Sequence, residues 1–139
     1  MKKTIPCRGI SPGKATGEVL VCSQPIGFNF GFDCETGKVI EHNHELNGIS
    51  ITDKILVFPF GKGSTGGSYV VYQLAKMGTG PKAIINRVTE TIIACGAIMS
   101  RLPVVDSMEE DPFSILKNGD IVTVDADNQV VIIEEGGAS

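Results

Sequence analysis

The sequence has no apolar run approaching the ~18–20 residues that span a bilayer, which argues against a helical membrane anchor. Its start, Met1-Lys2-Lys3-Thr4-Ile5-Pro6, carries the charge of a signal peptide but no apolar stretch behind it. It has no basic cluster: twelve Lys and Arg are outnumbered by sixteen Asp and Glu, for a net charge of −4. That balance disfavours generic nucleic-acid or anionic-membrane binding. No two of the four cysteines, Cys7, Cys22, Cys34 and Cys95, form a C-x-x-C pair. Zinc and iron–sulfur sites ordinarily show such a pair, so this chain is expected to hold no metal and to keep its cysteines as free packing thiols. Internal repeats and low-complexity linkers are also missing. What remains is ordinary globular composition, 42% apolar and 20% charged over 139 residues. That length suits one domain, spanning 1–139, which can bury a core without disulfides. The expectation is a soluble cytoplasmic protein.

Apolar patterning predicts β-structure first. Ala15 to Cys22 reads as a strand after the turn Ser11-Pro12-Gly13. Phe28, Phe30 and Phe32 alternate and would share one strand face, turned to the core or to a partner. Cys34-Glu35-Thr36-Gly37 reads as a turn, and Lys38 to Glu41 as a short strand. His42-Asn43-His44 is expected to be a solvated connection. Lys54 to Pro59 is a continuous buried-strand signal, as is Ala83 to Asn86. Tyr69 to Met77 reads as a helix ended by Gly78, and Thr89 to Met99 as a second with Glu90 in its first turn. Val104-Val105 and a closing hairpin, 120–125 with 129–134, complete the pattern. A βαβαβ run between β-rich ends implies an α/β fold mixing parallel and antiparallel strands.

The segment richest in chemistry is Gly61-Lys62-Gly63-Ser64-Thr65-Gly66-Gly67-Ser68, a glycine-rich loop between strand and helix. Unpaired N–H groups at a helix start bind anions, and glycines let that backbone approach a ligand. Lys62 adds a cation, and Ser64, Thr65 and Ser68 add hydroxyls, a set suited to a carboxylate or phosphate. A Walker A loop would need its lysine after the last glycine, whereas here it precedes the serines. Gly61, Gly63 and Gly66 satisfy the G-x-G-x-x-G spacing, but no strand ending in an acidic residue follows at the usual distance. A plain N-cap at Ser64 or Ser68 is the structural alternative. A serine used as a base would need its alkoxide stabilised by loop amides, a helix N-terminus and a cation. A hydrolase-type Ser–His pair would have to draw on His42 or His44, on another segment.

Asp33-Cys34-Glu35-Thr36-Gly37-Lys38-Val39-Ile40, His44, Gly48, 54–64, Ser68, 78–86 and Leu102-Pro103-Val104-Val105-Asp106 together resemble the small subunit of the aconitase X family. The resemblance covers roughly residues 8–133. It implies a swivelling β/β/α domain like the mobile C-terminal domain of aconitase. It also implies a hydro-lyase whose separate large subunit carries a 4Fe-4S cluster as Lewis acid for the departing hydroxyl. The family's catalytic base falls on Ser64. Substrate contacts are implied for Lys62, where relatives often have arginine, and for Gly63, Thr65, Gly66 and Ser68. Within the family the chain looks most like the archaeal type acting on mevalonate 5-phosphate. Bacterial relatives acting on cis-3-hydroxyproline are similar over the same segments. Cys34 and Phe32 depart from the family pattern, which has proline and a smaller residue there. Two other readings carry different functions: a non-catalytic swivelling module, and a phosphohistidine carrier, suggested by Arg8-Gly9-Ile10-Ser11-Pro12-Gly13 but lacking a histidine in the loop.

Overall fold

The computed structural model describes residues 2–27, 32–41, 44–62 and 66–134. Phe28, Phe30, His42, Gly63, Ser64 and Thr65 lie outside them. The elements run β1 (Lys2–Pro6), β2 (Arg8–Ser11), β3 (Lys14–Val21), β4 (Ile26–Gly27), β5 (Phe32–Asp33), β6 (Lys38–Val39), β7 (Lys54–Val57), β8 (Gly61–Lys62), α1 (Gly66–Met77), β9 (Ala83–Ile85), α2 (Thr91–Ser100), β10 (Val104–Asp106), α3 (Pro112–Ile115), β11 (Ile121–Asp125) and β12 (Val130–Glu134). Eight strands form one sheet in the order β1-β12-β11-β3-β7-β9-β10-β2. Its middle, β3-β7-β9-β10, is parallel, and the strands beyond it on either side pair antiparallel.

Parallel strands need cover on both faces, and the burial follows. Leu20, Leu56, Ile84 and Val104 point to one side, where α1 adds Val71 and Leu74, and α2 adds Ile93 and Ala97. Ile26, Phe32, Val39, Leu46 and Ile51, from the segment between β3 and β7, fill the same core. On the other face Ile55, Val57, Ala83, Ile85 and Val105 meet Val122, Val124, Val131 and Ile133. The antiparallel end of the sheet therefore supplies the second layer, and Leu116 just after α3 closes it.

α1 and α2 end on the same device. Gly78, at φ 73°, donates to the Ala75 carbonyl while Thr79 donates to Leu74. Arg101, at φ 57°, donates to Ile98 while Leu102 donates to Ala97. These are paired Schellman-type bonds, the first with the glycine that the conformation favours. The helices approach closely because Gly96 has no side chain: a Cβ there would sit 2.8 Å from Val71 Cβ and 2.9 Å from the Ser68 carbonyl.

The βαβαβ run, the closing hairpin and the strand over 15–22 lie where the residues put them. Three details differ. α1 starts at Gly66, not Tyr69, because the packing that buries Gly67 outweighs the weak helix preference of two glycines. Ser68 is therefore inside the helix and is not its cap. Glu90 precedes α2 and caps it, accepting from Ile93 N at 2.7 Å and Ile92 N at 3.0 Å. His44 is buried rather than solvated. Phe32 packs in the core, one of the two roles expected of it. Among the described residues no helix is long and apolar enough to cross a membrane.

Candidate active site

One register row at the carboxyl ends of the four parallel strands, on the helix side, holds Cys22, Phe58, Asn86 and Asp106. Ladder bonds run one residue past the strands to make it: Cys22 N to Val57 O, Phe58 N to Ile85 O and Asn86 N to Val105 O, at 2.8, 3.1 and 3.0 Å. The row passes from apolar at Cys22 and Phe58 to polar at Asn86 and Asp106. The carboxyl edge of parallel strands is where α/β folds place their sites, and here it is where the glycine-rich segment departs from β7.

That segment is anchored on both sides. β8 pairs in parallel with β4, Ile26↔Gly61 and Gly27↔Lys62. Gly61 lies against the start of α2: a Cβ would come within 2.6 Å of Ile93 Cγ1 and 3.0 Å of a Glu90 carboxylate oxygen. Beyond Lys62, the described chain resumes at Gly66, the first residue of α1, and Ser68 Oγ donates to the Ile92 carbonyl at 2.7 Å. The starts of α1 and α2 are thereby laced together at the rim. Glu90 occupies the amides of α2, whereas the first turn of α1 contains no acidic residue. Of the six residues expected at the site, the structure places Gly66 and Ser68 in the first turn of α1 and the backbone of Lys62 at the end of β8. Gly63, Ser64 and Thr65 fall between.

A polar chain that the sequence did not single out supports the root of this segment. Asn86, fully buried, donates from Nδ2 to the Phe58 carbonyl at 2.9 Å and accepts from Thr89 Oγ1 at 3.2 Å. The Thr89 amide donates to Asp106 Oδ2 at 2.7 Å, and Arg8 grips the same carboxylate through Nε and Nη2, both at 2.8 Å. Burial pushes the Asp106 carboxyl up. The Arg8 bonds, the Thr89 amide and the nearby Ser107 outweigh that and hold it below its ordinary value. The available signal was a polar residue closing each buried run, Ala83-Ile84-Ile85-Asn86 and Val104-Val105-Asp106.

At the other end of the row, His44 is spent on backbone. Nδ1 accepts from the Leu46 amide at 3.1 Å, which leaves the ring proton on Nε2 to donate to the Pro25 carbonyl at 3.2 Å. A His44 so engaged is not a base for a serine. Cys22 Sγ lies 3.7 Å from Nε2 and donates to Gln24 O, and burial pushes the thiol up to about 12, so it is no nucleophile at neutral pH. The four cysteines are free thiols. Cys22 belongs to the helix-side core and Cys34 packs on it, Cys7 packs on the opposite core, and Cys95 is exposed on α2. Among the described residues no three His, Cys, Asp or Glu side chains converge as a metal would require. This donor set does not fit an iron–sulfur cluster. A cavity of about 260 Å³ lined by Asp53, Gly78, Lys82, Arg101 and Pro103 opens at the opposite ends of the strands, away from this row.

Comparison with known proteins agrees with this architecture. Residues 4–133 match the model of the aconitase X swivel domain family. A protein of Methanosarcina acetivorans named phosphomevalonate dehydratase small subunit is 50% identical over 132 residues, 94% of this chain and 92% of its own. One of the same name from Thermococcus kodakarensis is 52% identical over 130 residues, 93% and 96% of the two chains. The crystal structure of Thermococcus kodakaraensis aconitase X in its holo-form superposes with a TM-score of 0.90 at 50% identity, covering 96% of this chain and 99% of that one. A UPF0107 protein solved by solution NMR gives 0.86 at 49% identity. A family match over nearly the whole chain, half-identity with its relatives and a shared fold lead to one conclusion: this protein belongs to the aconitase X swivel domain family.

Proposed function

We propose that the chain is the small subunit of a hydro-lyase that dehydrates mevalonate 5-phosphate to trans-anhydromevalonate 5-phosphate in isoprenoid synthesis. The observation that carries this reading is half-identity, over more than nine-tenths of both chains, to small subunits named for that dehydratase. The chain acts as a single swivelling domain over 1–139, in the cytoplasm, with a large partner subunit. The 4Fe-4S cluster of the enzyme belongs to that partner. Ser64 takes the proton α to the substrate carboxylate. The amides of Gly63, Thr65 and Gly66 stabilise the oxyanion that results, Ser68 adds its amide within the first turn of α1, and Lys62 supplies the positive charge. The rim supports this reading in two ways. β7 leads to the glycine-rich segment from the carboxyl edge of the parallel strands, and the described residues on either side of it are anchored, at β8 and at Ser68.

The test is an anaerobic assay of this chain with its large subunit on mevalonate 5-phosphate. Wild type is compared with Ser64→Ala after equal partner binding is established. The wild-type complex is expected to turn over, and the variant to lose about 10²–10⁴-fold in kcat, the usual worth of a positioned base. Undiminished turnover in Ser64→Ala overturns the assignment of the base. No turnover by the wild-type complex overturns the substrate.

A further inference from the structure

We propose that Arg8 is a substrate-binding residue that receives an oxyanion, phosphate or carboxylate, of the molecule processed at this rim. The proposal rests on the hydro-lyase reading above. Arg8 stands opposite Asp106 in the β2–β10 pairing. Register partners on an antiparallel pair share a face, so Arg8 lies on the side that carries Phe58, Asn86 and Asp106. The pair is lopsided. The Asp106 side chain has no exposure at all, whereas that of Arg8 is 55% exposed. The fork spends two of the five guanidinium N–H donors. Among the described residues the other three have no protein partner.

A buried carboxylate is a weak device for stability, since an apolar pair often does as well. What Asp106 does secure is orientation. It is itself fixed by the Thr89 amide, and it holds the plane of an exposed guanidinium in one place. An arginine fixed beforehand loses little rotamer freedom when an oxyanion binds, and its remaining donors suit a two-point contact. The charges around it leave room for an anion. Asp106 is paired with Arg8 itself, and the Glu90 carboxylate is turned to the amides of Ile92 and Ile93. Arg87, the other arginine on this edge, turns the opposite way, pairing with Asp111 at 3.2 Å and stacking 4.5 Å over Phe113 of the other core. Two strand spacings, about 10 Å, separate the Phe58 and Asp106 columns. A substrate whose charged end lies away from the reacting carbon can therefore span from the Phe58 column, where β7 ends, to Arg8.

The test uses the two-subunit enzyme, with Arg8→Gln and Arg8→Lys beside wild type. Melting temperature and partner affinity are measured for each. Arg8→Gln is expected to raise KM for mevalonate 5-phosphate about 10–100-fold, the worth of charge-assisted hydrogen bonds, while kcat changes far less. Arg8→Lys, which keeps a cation for Asp106 but loses the fork, is expected to recover part of the loss. It also carries the test if the glutamine variant does not fold or assemble. A parallel weakening of inhibition by inorganic phosphate assigns the contact to phosphate, and unchanged inhibition assigns it to the carboxylate. KM within twofold of wild type in a folded variant, with only the melting temperature lowered, overturns the proposal. Wild-type turnover reports on the hydro-lyase reading alone. If it is absent, calorimetric binding of inorganic phosphate and of acetate to wild type and Arg8→Gln decides on Arg8 without catalysis, and equal binding overturns it.

Discussion

Asp106 shows how a single side chain ties stability to pH. Its folded pKa is depressed relative to a free carboxylate, despite burial, by Arg8 and the Thr89 amide. Its stabilisation is therefore complete above the unfolded value of ~3.9 and is lost as pH falls through the folded pKa. Asp106→Asn is expected to lower the melting temperature at pH 7 and to narrow the gap from wild type by pH 3. Melts at the two pH values check this. The cysteines differ in a way that alkylation reads directly. Burial pushes Cys22 up to about 12 and, with Asp106 and Asp125 nearby, Cys7 up to about 11, whereas Cys95 is exposed. Brief native alkylation at neutral pH followed by mass mapping is expected to mark Cys95 and to reach Cys22 only after unfolding.

Between elements, the fit at β8 and the helix starts decides how well the glycine-rich segment is held. Gly61 has room for no side chain, because Ile93 and Glu90 stand where a methyl group would go. Gly61→Ala is expected to shift β8 off α2 at a cost of about 1–3 kcal/mol, the usual range for overpacking, and to lower kcat together with the melting temperature. Glu90→Ala separates the two effects. It removes the α2 cap, worth about 0.5–2 kcal/mol, without placing anything against β8. The expected result is a lower melting temperature with kcat nearly retained.

Across the whole molecule, stability and the rim are spread over different parts of one sheet. β1 pairs with β12 at the end of the sheet away from β10 and β2, and its Ile5, 2% exposed, belongs to the core opposite the helices. Ile5→Ala is expected to cost about 2–5 kcal/mol, the range for emptying a core aliphatic site. Below its melting temperature the variant complex is expected to keep wild-type kcat, because Ile5 lies on β1, at the end of the sheet away from β10 and β2, and in the core opposite the helices. Denaturant melts and steady-state assays on the same preparation check both halves.

The sequence by itself determined most elements and the place of the loop. Short, β-branched and aromatic apolar runs such as Ile55-Leu56-Val57-Phe58 read as strands covered on both faces. Gly78 stops a helix through its own backbone freedom, and a glycine-rich segment between strand and helix is a local pattern. The tertiary structure decided what local pattern does not encode. Lys2–Pro6 and Arg8–Ser11 are strands because β12 and β10 offer them edges. Gly66 and Gly67 enter α1 because packing outweighs their propensity. His44 is interior because Pro25 and Leu46 take up its nitrogens. Arg8 and Asp106, 98 positions apart, become partners only when the sheet brings β2 beside β10. Local propensity acts over a few neighbours, whereas hydrogen bonds and burial act between whatever the chain brings together, so the loop was legible in the residues and the polar network beneath it was not.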